Sequence, residues 1–220
     1  MVHSSDKKNP ASPLGVKPAY QGRSRKRRDE LISAGMALLC EKNFADISII
    51  ELTSACGYSV GTFYSRFSDK DSFFVATQKA AVTEMISIIE TEFSDPYWKA
   101  ASAEEIFRKI VDLMVDALST DFRGVVRGSI AITASDPSAW IPIHQYGETI
   151  SRTLLLLLQS KVLEDDPKKS LDSISFAFQM LFGTLMQAIL NDPGPVKLAS
   201  PEMRDNLTRM LICFTQLKKD

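Results

Sequence analysis

One stretch of the chain, residues 48–70, constrains the fold more than any other, because it predicts two short helices joined by a tight turn. Ser48 and Glu51 have the spacing of a capping box, which marks the start of the first helix. Gly57 is placed to end that helix in a left-handed turn, a conformation that costs glycine least. Ser59 can cap a second helix. The stretch therefore predicts a helix-turn-helix.

The second of these helices has one apolar face and one polar face. Phe63 and Phe67 lie four residues apart and are predicted to point inward. The other positions then face outward, and Thr, Tyr, Ser and Arg are residue types that contact phosphates and base edges of DNA. We therefore expect this surface to bind DNA, through the two capping serines, Ser48 and Ser59, and through Val60, Gly61, Thr62, Tyr64, Ser65 and Arg66.

These residues resemble the DNA-binding domain of the tetracycline-repressor (TetR) family over about residues 24–75. The resemblance implies contacts of Tyr64 and Lys70 with the DNA backbone. Val60 stands where the family often has a polar or charged residue, so its side chain offers DNA an apolar contact, such as one with a thymine methyl. The resemblance rests on Glu41-Lys42-Asn43-Phe44, on the turn Ala55-Cys56-Gly57-Tyr58-Ser59, and on Gly61-Thr62-Phe63-Tyr64 with Phe67 and Lys70.

The charge distribution favours DNA binding at one end of the chain. The net charge of the whole chain is −1, which by itself argues against a nucleic-acid partner. Residues 1–70, however, carry a net charge of +4, and residues 71–220 carry −5. A basic part next to an acidic remainder is typical of a protein that binds DNA through one region. The basic run before the helix-turn-helix, with Arg23, Arg25 and Lys26, is predicted to contact phosphates.

The predicted fold is all-α. Helical periodicity of 3.6 residues dominates, and we find no convincing alternating strand. Residues 1–22, with three prolines among polar residues, are interpreted as a disordered arm. A three-helix helix-turn-helix DNA-binding domain is predicted at 23–69, and a larger helical ligand-binding and dimerisation domain at 70–220. Predicted helices cover about 24–43, 103–121, 123–134, 137–164, 167–191 and 201–217, with a further long helix from Lys70.

Other features favour a soluble cytoplasmic protein without a metal or cofactor. Cys40, Cys56 and Cys213 are an odd number without metal-like spacing, as expected of reduced thiols. The first 22 residues lack the apolar run of a signal peptide. The longest purely apolar run, 154–158, is too short to span a bilayer, so we expect no membrane partner.

The middle helices contain residues that could line a ligand cavity, because such pockets are mostly apolar with a few polar anchors. Ordinary core packing is the alternative interpretation of the same residues. His144 is the predicted polar anchor. The TetR resemblance implies that a small apolar or aromatic effector binds there, moves the helix starting at Lys70 and releases a palindromic DNA operator. The candidate ligand-binding residues are Trp98, Phe107, Met114, Phe122, Trp140, His144 and Tyr146.

The last two predicted helices are apolar on most sides, so something must bury them. Little chain remains to cover them, and a second subunit is the predicted cover. The alternative is packing within one chain. Gly183 would let two helices approach closely. The predicted homodimer interface consists of Phe178, Leu181, Phe182, Gly183, Leu185, Met186, Leu207, Met210 and Phe214.

Two other functions stay open at this stage. Residues 57–61 fit the G-x-S-x-G pattern of a serine hydrolase, with Ser59 as nucleophile and Asp136 and His144 in the required order. That pattern needs a buried strand before the serine, whereas a capped helix is predicted there, so no catalytic residue is predicted and the chain is not expected to be an enzyme. The other alternative is a DNA-binding regulator that responds to a protein partner or to no ligand.

Overall fold

A computed structural model describes residues 22–120, 122–133, 136–158, 161, 167–191 and 194–215. Within these ranges the chain is helical and contains no strand, which confirms the predicted all-α class. Residues 1–21 of the predicted arm lie outside the described residues. The helices are α1 (Gly22–Glu41), α2 (Ile49–Ala55), α3 (Val60–Tyr64), α4 (Lys70–Phe93), α5 (Tyr97–Ala100), α6 (Ala103–Ser119), α7 (Arg123–Thr133), α8 (Ile141–Leu158), α9 (Pro167–Asn191) and α10 (Pro201–Thr215).

The turn between α2 and α3 has the predicted geometry. Gly57 adopts a φ of 68°, in the left-handed region. The Tyr58 N–H donates to the Thr53 carbonyl at 2.8 Å, and the Gly57 N–H donates to the Ser54 carbonyl at 3.0 Å. This pair of bonds is the Schellman motif, which satisfies carbonyls that a helix end leaves free. The motif ends α2 sharply and directs the chain into α3.

The start of α2 is capped, although only half of the predicted capping box forms. The Ser48 hydroxyl accepts a hydrogen bond from the Glu51 N–H at 3.1 Å. The Glu51 carboxylate, however, forms an ion pair with Lys42 at the end of α1. Lys42 is close enough to compete for that carboxylate, and the pair ties the start of α2 to α1.

A small apolar core holds the first four helices together. The rings of Phe63, Phe67 and Phe73 lie 5.1–5.6 Å apart, in tilted and edge-on arrangements that favour aromatic pairs. Leu31 of α1 and Leu52 of α2 are buried against them. Phe63 therefore anchors α3 by its inner face and leaves the opposite face of α3 on the surface.

A larger core fills the C-terminal region and also reaches the first helices. In it α8 packs on α9, and α10 packs on both α6 and α9. Leu39 of α1 and Phe74 of α4 belong to this cluster. Helix α7 lies directly on α1, where a Cβ added at Gly124 would come 1.8 Å from the Leu39 carbonyl oxygen. The two cores are thus continuous through α1, α4 and α7.

The structure corrects two predicted elements. The short helix α5 was not predicted from the sequence. The predicted helix at 137–164 begins with a separate 3-10 turn, Pro137–Trp140, capped by the Asp136 carboxylate, which accepts from the Ser138 N–H at 3.0 Å. Helix α8 follows and is described as far as Leu158.

One described helix, 168–191 within α9, is long and apolar enough to cross a membrane by length and composition. In this fold 39% of its most apolar window is buried inside the protein. The core helix of a soluble protein passes the same test, so this is weak evidence for a membrane span.

Candidate nucleic-acid interface

Helix α3 is a short capped helix with an open outer face. The Ser59 hydroxyl caps it by accepting from the Thr62 N–H at 3.4 Å. On the outer face Val60 is 37% exposed and Tyr64 is 46% exposed. Gly61 lies between them, and the nearest atom to an added Cβ would be the Ser59 hydroxyl oxygen at 3.7 Å. The outer face therefore has no bulky side chain at its second position, and another molecule can approach the backbone there.

Most polar groups predicted to read DNA from α3 are held in bonds within the protein. The Ser65 hydroxyl donates to the Thr62 carbonyl at 2.7 Å, and the Thr62 hydroxyl lies 3.2 Å from that of Ser59. Arg66 is half-buried, and its Nη1 donates to the Ser65 carbonyl at 3.0 Å. A base contact through the Ser65 hydroxyl proton would require it to leave the Thr62 carbonyl, whereas Arg66 keeps further N–H donors.

A basic surface adjoins the helix-turn-helix on α1. Arg25, Lys26 and Arg27 are exposed, whereas the side chain of Arg23 lies outside the described residues. Lys26 forms an exposed ion pair with Glu30 at 3.7 Å, which contributes little to stability. Arg25 and Lys26 line a surface groove together with Ala55, Cys56 and Tyr58 of the turn before α3.

Lys70, predicted to contact the DNA backbone, has partners inside the protein. Its ammonium group donates to the Ala45 carbonyl at 3.0 Å and lies 4.5 Å from the centre of the Phe44 ring. Partial burial lowers the pKa of Lys70. Since an ammonium group has three donors, the bond to Ala45 does not exclude a phosphate. Through this bond Lys70 also connects the start of α4 to the turn after α1.

Sequence reasoning missed one contact that fixes the turn. The Tyr58 hydroxyl donates to the Glu30 carboxylate on α1, and the guanidinium of Arg27 lies 5.8 Å from the Tyr58 ring centre, within cation–π range. The hydrogen bond to Glu30 raises the pKa of Tyr58. An aromatic residue directly after the turn glycine is the signal that could have shown it. This contact orients the turn relative to the basic surface.

The first part of the chain matches a known protein family. The family model described as bacterial regulatory proteins, tetR family, matches residues 31–77, which include the whole helix-turn-helix. Residues 31–77 thus carry the helix-turn-helix domain of the tetR family. This helix-turn-helix is accordingly that of a DNA-binding transcriptional regulator.

Solved structures of TetR-family proteins share the fold over most of the chain. A family member from Mesorhizobium loti MAFF303099 is 19% identical, with a TM-score of 0.70, over 88% of this chain and 97% of that one. A regulator from Streptomyces coelicolor is 16% identical, with a TM-score of 0.65, over 86% and 79%. The fatty acid degradation regulator FadR from Bacillus halodurans is 18% identical, with a TM-score of 0.58, over 84% and 94%. No curated protein matches the sequence.

The residues predicted to bind an effector fall into two groups in the structure. The buried group belongs to the large core and packs against other side chains, and Trp140 lies half-buried at its edge, with its ring centre 6.4 Å from that of Phe182. Their role in ligand binding stays a prediction. The buried group comprises Trp98, Phe107, Met114, Phe122 and Tyr146.

His144 does not lie with this group, and its role as a polar anchor for a ligand stays a prediction. Its side chain is 70% exposed on the outer face of α8, where it lies 3.7 Å from Glu148. Tyr146, two residues later and on the opposite face, is buried instead. Its hydroxyl donates to the Met114 sulfur at 3.0 Å, and burial raises the pKa of Tyr146.

The residues predicted to form the dimer interface differ in how far one protomer already buries them. Phe178, Leu181, Leu185 and Leu207 are buried within the protomer, because α6 and α8 cover the faces of α9 and α10 that carry them. Phe182, Met186 and Met210 are half-buried, whereas Gly183 and Phe214 are exposed. The exposed faces of α9 and α10 hold the apolar side chains that remain uncovered. The dimer interface itself stays a prediction.

The structure does not assemble the hydrolase triad. A helix, α2, precedes the turn that carries Ser59, whereas a nucleophile elbow follows a strand. The Ser59 hydroxyl caps α3, and the Asp136 carboxylate caps the Pro137–Trp140 turn. His144 faces Glu148 on the surface of α8.

Proposed function

We propose that this protein is a homodimeric, cytoplasmic repressor of the TetR family that binds a palindromic DNA operator and releases it when a small molecule binds. The observation that carries the proposal is the capped, outward-facing α3 beside the exposed cations Arg25 and Lys26. Recognition helices read base edges in the major groove, while neighbouring cations bind phosphates. The proposed DNA-contacting residues are Arg23, Arg25, Lys26, Ser48, Ser59, Val60, Gly61, Thr62, Tyr64, Ser65, Arg66 and Lys70.

An apolar groove between α9 and α10 supports the dimer. The groove has a volume of about 740 Å³ and is lined by Met180, Gly183, Val196 and Met210, among others. Nearby, the rings of Phe176 and Phe214 lie 5.5 Å apart on the surface and are 48% and 41% exposed. Exposed apolar surface of this kind marks an interaction site. A second copy of the same two helices would cover it and form a four-helix interface.

Two buried polar groups support an effector site in the core. The hydroxyl of Tyr146 has only a thioether sulfur, a weak acceptor, as its partner. The Oε1 atom of Gln78 on α4 is buried and has no hydrogen-bond partner among the described residues. A ligand with a hydrogen-bond donor and an acceptor would satisfy both. We propose these two residues, rather than His144, as polar anchors within the predicted aromatic set.

The position of Gln78 supports a route from effector to DNA. Its Nε2 donates to the Ser129 hydroxyl on α7 and to the Ala139 carbonyl in the following turn, both at 2.8 Å. Helix α4 continues from the DNA-binding domain, and α7 packs on α1 through Gly124. An effector that changes these bonds would shift α4 and α7 together. It can act only if it binds the two arrangements with different affinity.

Selection of bound sequences from random DNA tests the proposal. We expect an enriched palindrome whose half-site centres lie about 34–36 Å apart, since a two-fold dimer presents two recognition helices to successive major grooves. Compounds that raise the melting temperature of the protein would then be tested for release of that operator. No enriched sequence would contradict DNA-specific binding. A non-palindromic site would contradict the dimer, and an operator complex that no stabilising compound dissociates would favour regulation by a protein partner.

A further inference from the structure

The first position of α3 presents an apolar side chain to any bound duplex. Val60 opens the helix and is 37% exposed. In a helix-turn-helix, the first residues of the second helix are those that contact base edges. The next residue is Gly61, which adds no side chain that would hold the helix away from DNA. Val60 is therefore placed to come close to the floor of the major groove.

The hydroxyl groups near Val60 form bonds within the protein. The Ser65 hydroxyl proton is used on the Thr62 carbonyl, and the Thr62 hydroxyl is paired with that of Ser59. The guanidinium of Arg66 is folded back onto the Ser65 carbonyl. Readout by the Ser65 hydroxyl proton would break its bond to the Thr62 carbonyl, whereas apolar readout by Val60 breaks none.

Only one standard base presents an apolar group in the major groove, namely thymine with its C5-methyl group. We propose that Val60 determines part of the sequence preference by packing against the C5-methyl group of a thymine in each operator half-site. The inference rests on the proposed operator binding and adds the chemical group that the protein recognises, the thymine methyl. It predicts an operator whose half-sites contain a thymine that deoxyuridine cannot replace without loss.

Replacement of thymine by deoxyuridine tests this directly in operator duplexes, because it removes the methyl group and keeps every hydrogen-bonding atom. Each thymine of the selected operator would be replaced in turn, in both half-sites at once, and the dissociation constant measured with the full-length protein at fixed salt. One methyl group contributes about 0.8 kcal/mol, or about fourfold in affinity. We expect about a tenfold to twentyfold loss at one thymine pair.

Substitution of Val60 shows whether this side chain makes the contact. In Val60→Ala the deoxyuridine penalty at the same thymine pair should shrink to about twofold or less, since the methyl group has lost its partner. Ile50→Ala is the matched control, because Ile50 is an apolar residue of α2, 68% exposed, outside α3. The penalty should persist in that variant. 5-Methylcytosine offers a second check, because it should bind better than cytosine at the same position.

The results separate this inference from the function on which it rests. A failure to enrich any operator contradicts the proposed function itself. An enriched operator that tolerates deoxyuridine at every thymine within twofold overturns only the role of Val60. The same holds if the penalty is as large in Val60→Ala as in the native protein, because another group would then read the methyl. The inference is supported if the deoxyuridine penalty disappears in Val60→Ala and persists in Ile50→Ala.

Discussion

Gln78 shows how one buried side chain connects three parts of the molecule. It is fully buried, and its two N–H donors join α4 to α7 and to the turn before α8. The orientation of the amide is fixed, since the Ala139 carbonyl can only accept. The remaining oxygen is left unsatisfied, which costs about 1–3 kcal/mol for a buried polar atom. Evolution tends to place such unsatisfied groups at sites of function rather than of pure packing.

Gln78→Leu is expected to lower the free energy of unfolding by about 1–3 kcal/mol, because the buried Ala139 carbonyl loses its donor. Gln145→Leu on the exposed face of α8 is the control and should stay within about 0.5 kcal/mol of the native protein. Urea denaturation of the two variants measures both values. An equal or higher stability of Gln78→Leu would mean that the unsatisfied oxygen outweighs the two bonds that the amide donates.

Glu105 gives a prediction of pH dependence. It accepts hydrogen bonds from the Tyr97 hydroxyl at 2.5 Å and from the Ser102 N–H at 2.7 Å, and these bonds lower its pKa from 4.5 to about 2. A lowered folded-state pKa stabilises the fold fully above the unfolded value, and the effect is lost as pH falls toward 2. The melting temperature of Glu105→Gln should therefore lie below the native value above pH 5 and converge with it in acid. Glu90→Gln on α4 controls for the lost charge, and a gap that does not change with pH would contradict the assignment.

At the scale of elements, two glycines serve opposite purposes. Gly124 lets α7 touch α1, since an added Cβ would lie 1.8 Å from the Leu39 carbonyl oxygen. A Cβ added at Gly61 would make only an ordinary contact, 3.7 Å from the Ser59 hydroxyl oxygen, so none of the described residues excludes a side chain there. The first glycine is required by packing inside the protein. We expect the second to allow the close approach of DNA.

The same substitution at these two positions should therefore give opposite results. Gly124→Ala overpacks the α1–α7 contact and should lower the free energy of unfolding by about 1–3 kcal/mol or more. Gly61→Ala should leave stability unchanged or raise it by up to about 1 kcal/mol, because alanine favours helix, while operator affinity falls. Thermal unfolding and DNA titration of both variants check this. Undiminished operator affinity in Gly61→Ala would place DNA away from this face.

The elements that the sequence predicted well are those with local signals. The cap at Ser59, the left-handed Gly57 and the inward Phe63 all depend on neighbours a few residues away, and all are found in the structure. The contacts that depend on distant parts of the chain were not predictable in this way. The exposure of His144 and the burial of Leu185 are set by how α6, α8 and α9 pack, which periodicity alone does not reveal.

At the scale of the whole molecule, the two cores form one connected body. Helices α1 and α4 contribute to both, and α7 touches both of these helices. A charge placed at Leu185 would therefore disrupt the protomer itself, because this residue is 0% exposed before any dimer forms. A test of the dimer needs a position that is exposed in the protomer and central to the groove between α9 and α10.

Gly183 is such a position. It lies exposed in the interior of α9, and apart from its chain neighbours and the nearby backbone of α9, no described atom lies within 4 Å of where its Cβ would be. Glycine costs about 1 kcal/mol relative to alanine in a helix interior, and no contact among the described residues accounts for it. We expect the close approach of α9 from a second copy to account for it, because an interface of the required size, about 2,000 Å² or more, packs as tightly as a core.

Gly183→Arg should consequently leave the protomer folded and prevent dimerisation. We expect the native chain to sediment at about twice 24.4 kDa and the variant at 24.4 kDa, because an arginine in the groove would be buried without a partner. Operator affinity should fall steeply although every residue on α3 is intact, because a monomer can place only one recognition helix on the operator. Gln145→Arg on exposed α8 adds the same charge and should remain dimeric. A dimeric Gly183→Arg would show that the interface does not use this groove. A native monomer at micromolar concentration would contradict the dimer and the palindromic recognition that depends on it.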